Sequence, residues 1–279
     1  MRRRFLVSID VERDIPMFLD ESYEALQGNF LEMLETIRSC GFIADLFVEK
    51  RVVRKHPDLL RVAKNKGHYI AYHGDHLEPR FATQLSMEEL ESRLRLGAAT
   101  LRTALGTPPH AFREANFAVD ARVYKALFRS GFHVDSSVLP NRLVKRWFGR
   151  ALVDHRGRPN RPYRIPLESG EEAPCLLEVP VSENPLNPGN PIGAGFLNLR
   201  GVEDTWRALC GSTADPLTFL IHPWECIDLG ATHPSLPSWV KRISRYNLPE
   251  LKEILARAVD QFESTSLPEV ALEQGVPLR

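Results

Sequence analysis

The stretch Tyr69-Ile-Ala-Tyr-His-Gly-Asp-His76 joins a short apolar segment to two histidines. The segment Tyr69–Tyr72 predicts a buried strand, so His73 stands at the end of that strand and His76 in the polar loop after it. Imidazoles held at the end of a strand are common ligands of a divalent metal ion. The stretch therefore predicts a sheet whose strand ends carry a metal site.

Strand and helix patterns alternate on both sides of this stretch. Ser86-Met-Glu-Glu89, for example, is a capping-box sequence that predicts the start of a helix ending at Gly106. The predicted strands are Phe5–Ile9, Ile43–Val48, Tyr69–Tyr72, Ala111–Arg113, Leu176–Val181, Leu217–Ile221 and Glu269–Leu272. Strands separated by helices pair in parallel through right-handed crossovers. We expect one α/β domain over residues 1–279, a closed or nearly closed (β/α) barrel of about seven parallel strands.

Two segments have little periodicity. Leu139–Ala173 is rich in Arg, Pro and Gly, and Asn184–Gly195 is rich in Pro, Asn and Gly. Both are predicted to be long loops over the mouth of the barrel, where substrate is usually recognised.

Composition narrows the class of partner. The 36 Lys and Arg residues balance the 36 Asp and Glu residues, so no net field attracts nucleic acid or anionic lipid. Apolar runs are too short to span a membrane, and the run after the basic start is too short for a signal peptide. We expect a cytoplasmic protein with reduced cysteines, and the sequence is compatible with a homo-oligomer.

Further polar residues stand at other predicted strand ends. Asp10 and Glu12 follow the first strand, and the period of two points them to the same side. Arg113 and His222 end two later strands. In a parallel barrel these ends meet on one rim, where neutral imidazoles and a carboxylate can bind a metal with an open position for water. A second carboxylate can take the proton of the water, and a histidine can protonate the leaving amine.

The order of these motifs resembles the polysaccharide deacetylases with a NodB homology domain, which form carbohydrate esterase family 4. The resemblance covers about residues 5–262 and is strongest in its Asp-x-Glu branch. The segments that carry it are Ser8-Ile-Asp-Val-Glu12, Ala44-Asp-Leu-Phe-Val48, His56-Pro-Asp-Leu59, Gly67-His68, Ala111-Phe-Arg-Glu-Ala-Asn-Phe117, Gly131-Phe-His-Val-Asp-Ser-Ser137, Leu177-Glu-Val-Pro-Val-Ser182 and Ile221-His-Pro-Trp-Glu225.

The resemblance implies a distorted (β/α) barrel of about seven parallel strands, and it implies a role for each site residue. Asp10 would be the general base, Arg113 would orient it and His222 would be the general acid. One divalent metal ion, with zinc the expected one, would be bound by Glu12, His73 and a second histidine, for which His76 is the candidate. In the substrate site, the backbone N–H near Asn116 is a candidate oxyanion donor, and Trp224 offers a flat apolar face to a sugar ring.

Two departures from the family pattern concern this machinery. The family spaces its metal histidines as His-x-x-x-His, whereas here the spacing is His73-x-x-His76 and Leu77 takes the expected place. Three alternatives follow: the loop shifts to present His76, Asp75 replaces it, or the metal site is weakened or lost. The family also carries Pro two residues after the arginine, where this chain has Ala115. Glu114, between them, is a candidate partner for Arg113.

Three functions are compatible with these residues. The leading hypothesis is a metal-dependent amidohydrolase that removes an N-acetyl group from an amino sugar or sugar conjugate. The second is a hydrolase of a small non-sugar C–N bond, as in allantoinase-like relatives. The third is a catalytically impaired relative that binds a glycan or a partner protein. The leading hypotheses imply a carbohydrate or small amide substrate.

Overall fold

Strands and helices alternate along the computed structural model, which describes residues 2–76, 81–145, 150–170, 173–276 and 278. Leu77 lies outside the described residues. The strands are β1 (Arg3–Val11), β2 (Ala44–Glu49), β3 (Tyr69–His73), β4 (Ala111–Arg113), β5 (Val134–Asp135), β6 (Leu143–Lys145), β7 (Ala151–Asp154), β8 (Tyr163–Pro166), β9 (Cys175–Glu178), β10 (Leu217–Ile221) and β11 (Phe262–Ser264). The α-helices are α1 (Glu24–Gln27), α2 (Phe30–Ser39), α3 (Lys50–Lys55), α4 (Pro57–Asn65), α5 (Met87–Leu105), α6 (Ala121–Arg129), α7 (Ala194–Gly211), α8 (Leu229–Thr232), α9 (Ser238–Ile243), α10 (Leu248–Gln261) and α11 (Leu267–Glu273).

The main sheet confirms the predicted fold class. Its strands follow the order β10-β1-β2-β3-β4-β5-β9, and every neighbouring pair in this series is parallel. β8 adds an antiparallel edge to β9, and β11 pairs in parallel with the start of β1. The result is a curled, mostly parallel sheet of the distorted (β/α) barrel type.

The core lies on both faces of the central strands. β1 and β2 are buried along nearly their whole length, as expected for parallel strands covered on both faces. Phe5 is in ring contact with Phe42, in the connection before β2, and with Phe219 of β10 and Phe262 of β11. Helix α5 begins at the predicted capping box, where Glu89 N–H donates to Ser86 Oγ at 3.2 Å. Within the described residues, no helix is both long and apolar enough to cross a membrane.

The segment between β9 and β10 lies along the open edge of the sheet. Gly193 pairs with Leu220 of β10, and Leu220 N–H donates to the carbonyl of Ile192 at 2.9 Å. A Cβ atom on Gly193 would lie 2.0 Å from the carbonyl oxygen of Leu220, so only glycine permits this approach. The predicted loop Asn184–Gly195 therefore also extends the sheet at its edge.

Three expectations for local structure were wrong. The segment Leu139–Ala173 is not only a loop, because it contains the antiparallel hairpin β6–β7 and strand β8. Glu269–Leu272 lies in helix α11, because Ser266 N–H donates to Glu269 Oε2 at 2.8 Å in a capping box that starts a helix. The helical spacing over Pro249–Phe262 predicts a helix that includes Phe262, whereas Phe262 begins the last strand, β11.

Candidate active site

One cavity at the carboxyl ends of the strands brings most of the predicted site residues together. Asp10 and Glu12 reach it from the end of β1, His73 from the end of β3, and His222 from the residue after β10. The other predicted residues that line it are His76, Asn116 and Trp224. Arg113 is fully buried beside the cavity, where it contacts Asp10. These placements agree with the predicted rim, although the roles of the residues stay predictions.

Glu12, His73 and His76 form a cluster that could hold a metal ion. One oxygen or nitrogen atom from each of the three lies within 4.8 Å of the others. Glu12 Oε2 is 3.6 Å from His73 Nε2 and is in closer contact with His76 Nε2. Two imidazole nitrogens and one carboxylate oxygen are the donor set of catalytic zinc sites, so these residues fit a divalent ion.

Hydrogen bonds around the cluster favour metal binding. His73 Nδ1 lies 2.9 Å from the carbonyl oxygen of Arg113, which can only accept a hydrogen bond. Nδ1 therefore carries a proton, and Nε2 faces Glu12, where the neutral imidazole would offer its lone pair to a metal ion. Burial alone would raise the pKa of Glu12, but the imidazoles of His76, His73 and His222 outweigh it and lower that pKa well below its usual range.

Asp75 does not join this cluster. Its carboxylate forms an ion pair with Lys50, and both side chains are largely buried. His76 instead reaches Glu12, so the shortened His-x-x-His motif still brings a second imidazole to the cavity. Of the alternatives left open by the sequence, the geometry favours the shifted loop over replacement by Asp75.

Arg113 holds Asp10 in place. Its Nη1 donates to Asp10 Oδ1 at 2.6 Å and to Ser8 Oγ at 2.7 Å. Its Nε and Nη2 donate to the carbonyl and hydroxyl oxygens of Ser136 at 2.9 Å and 2.8 Å. The guanidinium also lies over the ring of Phe47, 3.9 Å from its centroid. The carboxylate and the other acceptors offset the desolvation cost of this fully buried cation. The charged hydrogen bond also fixes the orientation of the Asp10 carboxylate.

His222 faces the metal cluster from the side of β10. Its Nε2 lies 3.7 Å from Asp10 Oδ2 and 3.9 Å from Glu12 Oε1, while its Nδ1 lies 3.3 Å from Glu225 Oε2. Burial alone would lower the pKa of His222, but the carboxylates of Glu225, Glu12 and Asp10 raise it to about 9. The imidazole is therefore protonated at neutral pH, and its Nε2–H is aimed into the cavity.

Trp224 has a second contact that the sequence did not suggest. Its Nε1–H donates to Glu12 Oε1 at 3.1 Å, and its ring stacks on His222 with centroids 4.9 Å apart. The side chain is only 8% exposed and packs with Ile15 and Leu229. Trp224 therefore supports the metal cluster as well as lining the cavity.

Asn116 lies in a strained turn at the cavity wall. The turn Ala115–Phe117 follows β4, and Asn116 and Phe117 have φ values of 63° and 60°. Phe117 N–H donates to the carbonyl of Glu114 at 3.1 Å, which closes the turn without the proline of the family pattern. Left-handed backbone at a non-glycine residue is often found at functional sites.

Several residues around the site were missed from the sequence. Ser8, which lies within β1, and Ser136, which directly follows β5, both contact Arg113; of the two, only Ser136 has the strand-end position that could have identified it. Glu114 does not pair with Arg113, which is committed to Asp10. The outer wall of the cavity contains Met17 and Phe18, from the connection after β1, and Trp239, from helix α9. None of the three has a strand-end pattern.

Comparisons with known proteins agree with this geometry. The family model described as polysaccharide deacetylase matches residues 12–134, which include Glu12, His73, His76 and Arg113. A search of curated proteins found no significant sequence match.

Solved structures share the fold over nearly the whole chain. A protein from Mycobacterium smegmatis, described as a candidate polysaccharide deacetylase, has a TM-score of 0.64 and 16% identity, covering 99% of this chain and 93% of its own. A family 4 carbohydrate esterase from Streptomyces lividans, in complex with acetate, has a TM-score of 0.52 and 13% identity, with coverages of 94% and 91%. A mutant of a family 4 pseudoenzyme, with restored enzymatic activity, has a TM-score of 0.56 and 10% identity, with coverages of 96% and 67%.

At these sequence identities, the similarity to solved structures shows only that the fold is shared. The family match is a similarity of sequence, and it concerns residues 12–134 of this chain. The two observations are independent and agree on the same relatives. Together they confirm the resemblance to the polysaccharide deacetylases that was predicted from the sequence.

Proposed function

We propose that this chain is a metal-dependent hydrolase that removes an N-acetyl group from an amino sugar or sugar conjugate. One arrangement supports the proposal above all others. The cluster of Glu12, His73 and His76 has a carboxylate, Asp10, and a protonated imidazole, His222, beside it in one cavity. Amide hydrolysis needs a polarised carbonyl, a base for water and an acid for the amine, and this cavity offers a group for each task.

The metal ion, which we propose is zinc, would be held by Glu12, His73 and His76 and would supply Lewis-acid chemistry to the amide carbonyl and to water. His73 would bind through Nε2, because its Nδ1 faces the carbonyl of Arg113. Trp224 and His76 contact different oxygens of the Glu12 carboxylate, which fixes its orientation. Such outer contacts tune ligand geometry and basicity.

Asp10 is proposed as the general base. Arg113 holds its Oδ1, and its Oδ2 faces the rings of His73 and His222 at 4.0 Å and 3.7 Å. A water molecule in the cavity would lose a proton to Asp10 as its oxygen bonds to the carbonyl carbon. A carboxylate with one fixed oxygen and one oxygen towards the cavity is oriented for this step.

His222 is proposed as the general acid. Its Nε2–H would protonate the departing nitrogen as the C–N bond breaks, so that the products are acetate and a free amine. Glu225 beside Nδ1 keeps the imidazole charged before this step. The backbone N–H near Asn116 is the proposed donor to the developing oxyanion, and Trp224 the proposed apolar wall for a sugar ring.

The test combines metal analysis with an assay of acetate release. Protein purified without chelator should contain about one divalent ion per chain and should release acetate from N-acetylglucosamine oligomers, both of which His73→Ala should abolish. Metal binding with hydrolysis only of non-sugar amides would move the proposal to an allantoinase-like function. Absence of metal after incubation with zinc, cobalt, nickel or manganese would favour a binding protein.

We further propose a cytoplasmic setting, in which a soluble precursor sugar would be the substrate.

A further inference from the structure

Arg142 places a cation in the wall of the active-site cavity. It lines the same cavity as Asp10 and His222. Its guanidinium lies over the ring of Phe117, another residue of the cavity wall, with Cζ 5.7 Å from the ring centroid. Arg113, the other arginine near the site, is fully buried and contacts Asp10, whereas Arg142 has no part in the proposed chemistry. It is therefore a candidate for contact with a part of the substrate other than the reacting amide.

The backbone of Arg142 is fixed at both of its polar groups. Arg142 N–H donates to the carbonyl of Leu139 at 3.2 Å, and the Arg142 carbonyl accepts a hydrogen bond from His155 N–H at 2.9 Å. Residue 142 directly precedes β6, which pairs with β7 in the hairpin. The preceding residue, Asn141, has a φ of 60°, a left-handed conformation that is uncommon outside glycine. The side chain therefore starts from a defined backbone position.

Most hydrogen-bond donors of this guanidinium have no partner among the residues that the structure describes. Nη1 donates to the carbonyl of Gly189 at 3.1 Å, whereas Nε is buried and unpaired. The carboxylate of Glu183, which contacts the same glycine, is engaged elsewhere. It accepts hydrogen bonds from Gly189 N–H at 2.9 Å and from Asn141 Nδ2 at 2.7 Å. A guanidinium has five N–H donors, so this one retains several for a ligand.

Within the described part of the chain, no carboxylate compensates the charge of Arg142. Burial lowers the pKa of Arg142, and no acid acts in the opposite direction. A guanidinium nevertheless stays protonated at neutral pH, so the cavity wall keeps a positive charge that is partly removed from water. A charge removed from water without a counter-ion is costly, and perturbed groups of this kind are concentrated at functional sites. A negatively charged group on the substrate would supply the counter-ion.

We propose that Arg142 is a specificity residue that binds an anionic group, a phosphate or a carboxylate, on the amino sugar whose N-acetyl group is hydrolysed. The inference rests on the proposed function and adds a preference for charged sugars to it. The planar guanidinium can donate two parallel hydrogen bonds to either group, which adds geometric selection to the attraction between charges. A neutral sugar leaves the cation unpaired, so the site favours a charged one.

Binding measurements test this contact. In a zinc-loaded Asp10→Asn background, which prevents turnover, the ligands are N-acetylglucosamine, its 1-phosphate and 6-phosphate, and N-acetylmuramic acid. We expect at least one anionic sugar to bind about tenfold or more tightly than N-acetylglucosamine, and Arg142→Gln to remove that preference. Loss confined to the phosphates identifies a phosphate group, and loss confined to N-acetylmuramic acid identifies a carboxylate. Arg142→Lys, which retains the charge but not the planar fork, should lose part of the preference.

A matched variant separates recognition from the overall charge of the protein. Arg156→Gln removes the same charge from an arginine that pairs with Asp154 and whose side chain is 62% exposed, so it should leave the preference unchanged. An anionic preference retained in Arg142→Gln would overturn the inference. An equal loss of affinity for the neutral sugar would also overturn it, as would a parent protein with no preference for any anionic form. Acetate release and zinc content of the wild-type enzyme test the proposed function separately, because neither depends on the outcome at Arg142.

Discussion

Trp224 Nε1–H donates to Glu12 Oε1 at 3.1 Å, while the other oxygen of the same carboxylate contacts His76. Contacts with both oxygens thus orient the Glu12 carboxylate before any metal binds. Trp224→Phe keeps the apolar ring and removes the donor, so we expect zinc affinity to fall about 10- to 100-fold in competition with a chelator. Trp239→Phe is the matched control, because Trp239 is 53% exposed and lines the outer cavity wall. Equal affinity in the two variants would contradict a supporting role for Trp224.

The shortened histidine motif leads to a second prediction. His76→Ala should lower the zinc content of the purified protein well below one ion per chain, because one of three ligands is removed. Asp75→Asn should leave the zinc content unchanged, since Asp75 is paired with Lys50 outside the cluster. Elemental analysis of both variants distinguishes the residues. The opposite result would mean that Asp75, and not His76, completes the site.

Removing the base should affect turnover far more than folding. Asp10→Asn should lower kcat about 10²- to 10⁴-fold, because the amide cannot accept the proton of the attacking water. The amide oxygen can still accept a hydrogen bond from Arg113, so circular dichroism should show the same fold. Asp20→Asn is the control, because the Asp20 side chain is 88% exposed. Full activity of Asp10→Asn would show that another group acts as the base.

His68 should make the protein less stable in mild acid. Its Nδ1 accepts a hydrogen bond from Ala44 N–H at 3.1 Å, and burial, assisted by Lys66 and Arg38, lowers the pKa of His68 to about 4. Between the ordinary histidine pKa and this value, the unfolded chain binds a proton that the folded chain does not. Stability is therefore fully present above about pH 6.5 and is lost as the pH falls towards 4.

Denaturant titrations at pH 7 and pH 4.5 measure this effect. We expect His68 to account for roughly 2–3 kcal/mol of the difference in the free energy of unfolding, since each pKa unit is worth about 1.4 kcal/mol. His68→Asn retains an acceptor near Ala44 but does not titrate, so its loss of stability in acid should be smaller by that amount. The same loss in both proteins would place the acid sensitivity elsewhere.

The sequence predicted the parallel sheet and the strand-end residues because each depends on a local pattern. Asp10 and His222 directly follow runs of apolar residues that form buried strands, so their position on the rim could be predicted from topology. Helix α7 was missed because glycines interrupt its pattern, and Gly201 has a φ of 80° within it. The contact between Trp224 and Glu12 joins residues 212 positions apart and carries no local signal.

Glu114 shows the same limit within the site. Its place beside Arg113 suggested an ion pair, but neighbouring residues on a strand point to opposite faces, and the arginine is directed to Asp10. Only the tertiary arrangement shows that the carboxyl group lies against Gly74.

The proposed base and the carboxylate of the metal cluster stand two residues apart at the end of β1, whereas the proposed acid follows β10. Covalent bonds therefore set the backbone spacing between Asp10 and Glu12. The position of His222 relative to them depends on the pairing of β1 with β10, which runs from Phe5 opposite Leu217 to Ile9 opposite Ile221. Heating loosens hydrogen bonds between strands before it changes bond lengths and angles. His73, at the end of β3, and His76, after it, are likewise tied to β1 only through hydrogen bonds across β2, so thermal inactivation should remove proton delivery and metal binding together.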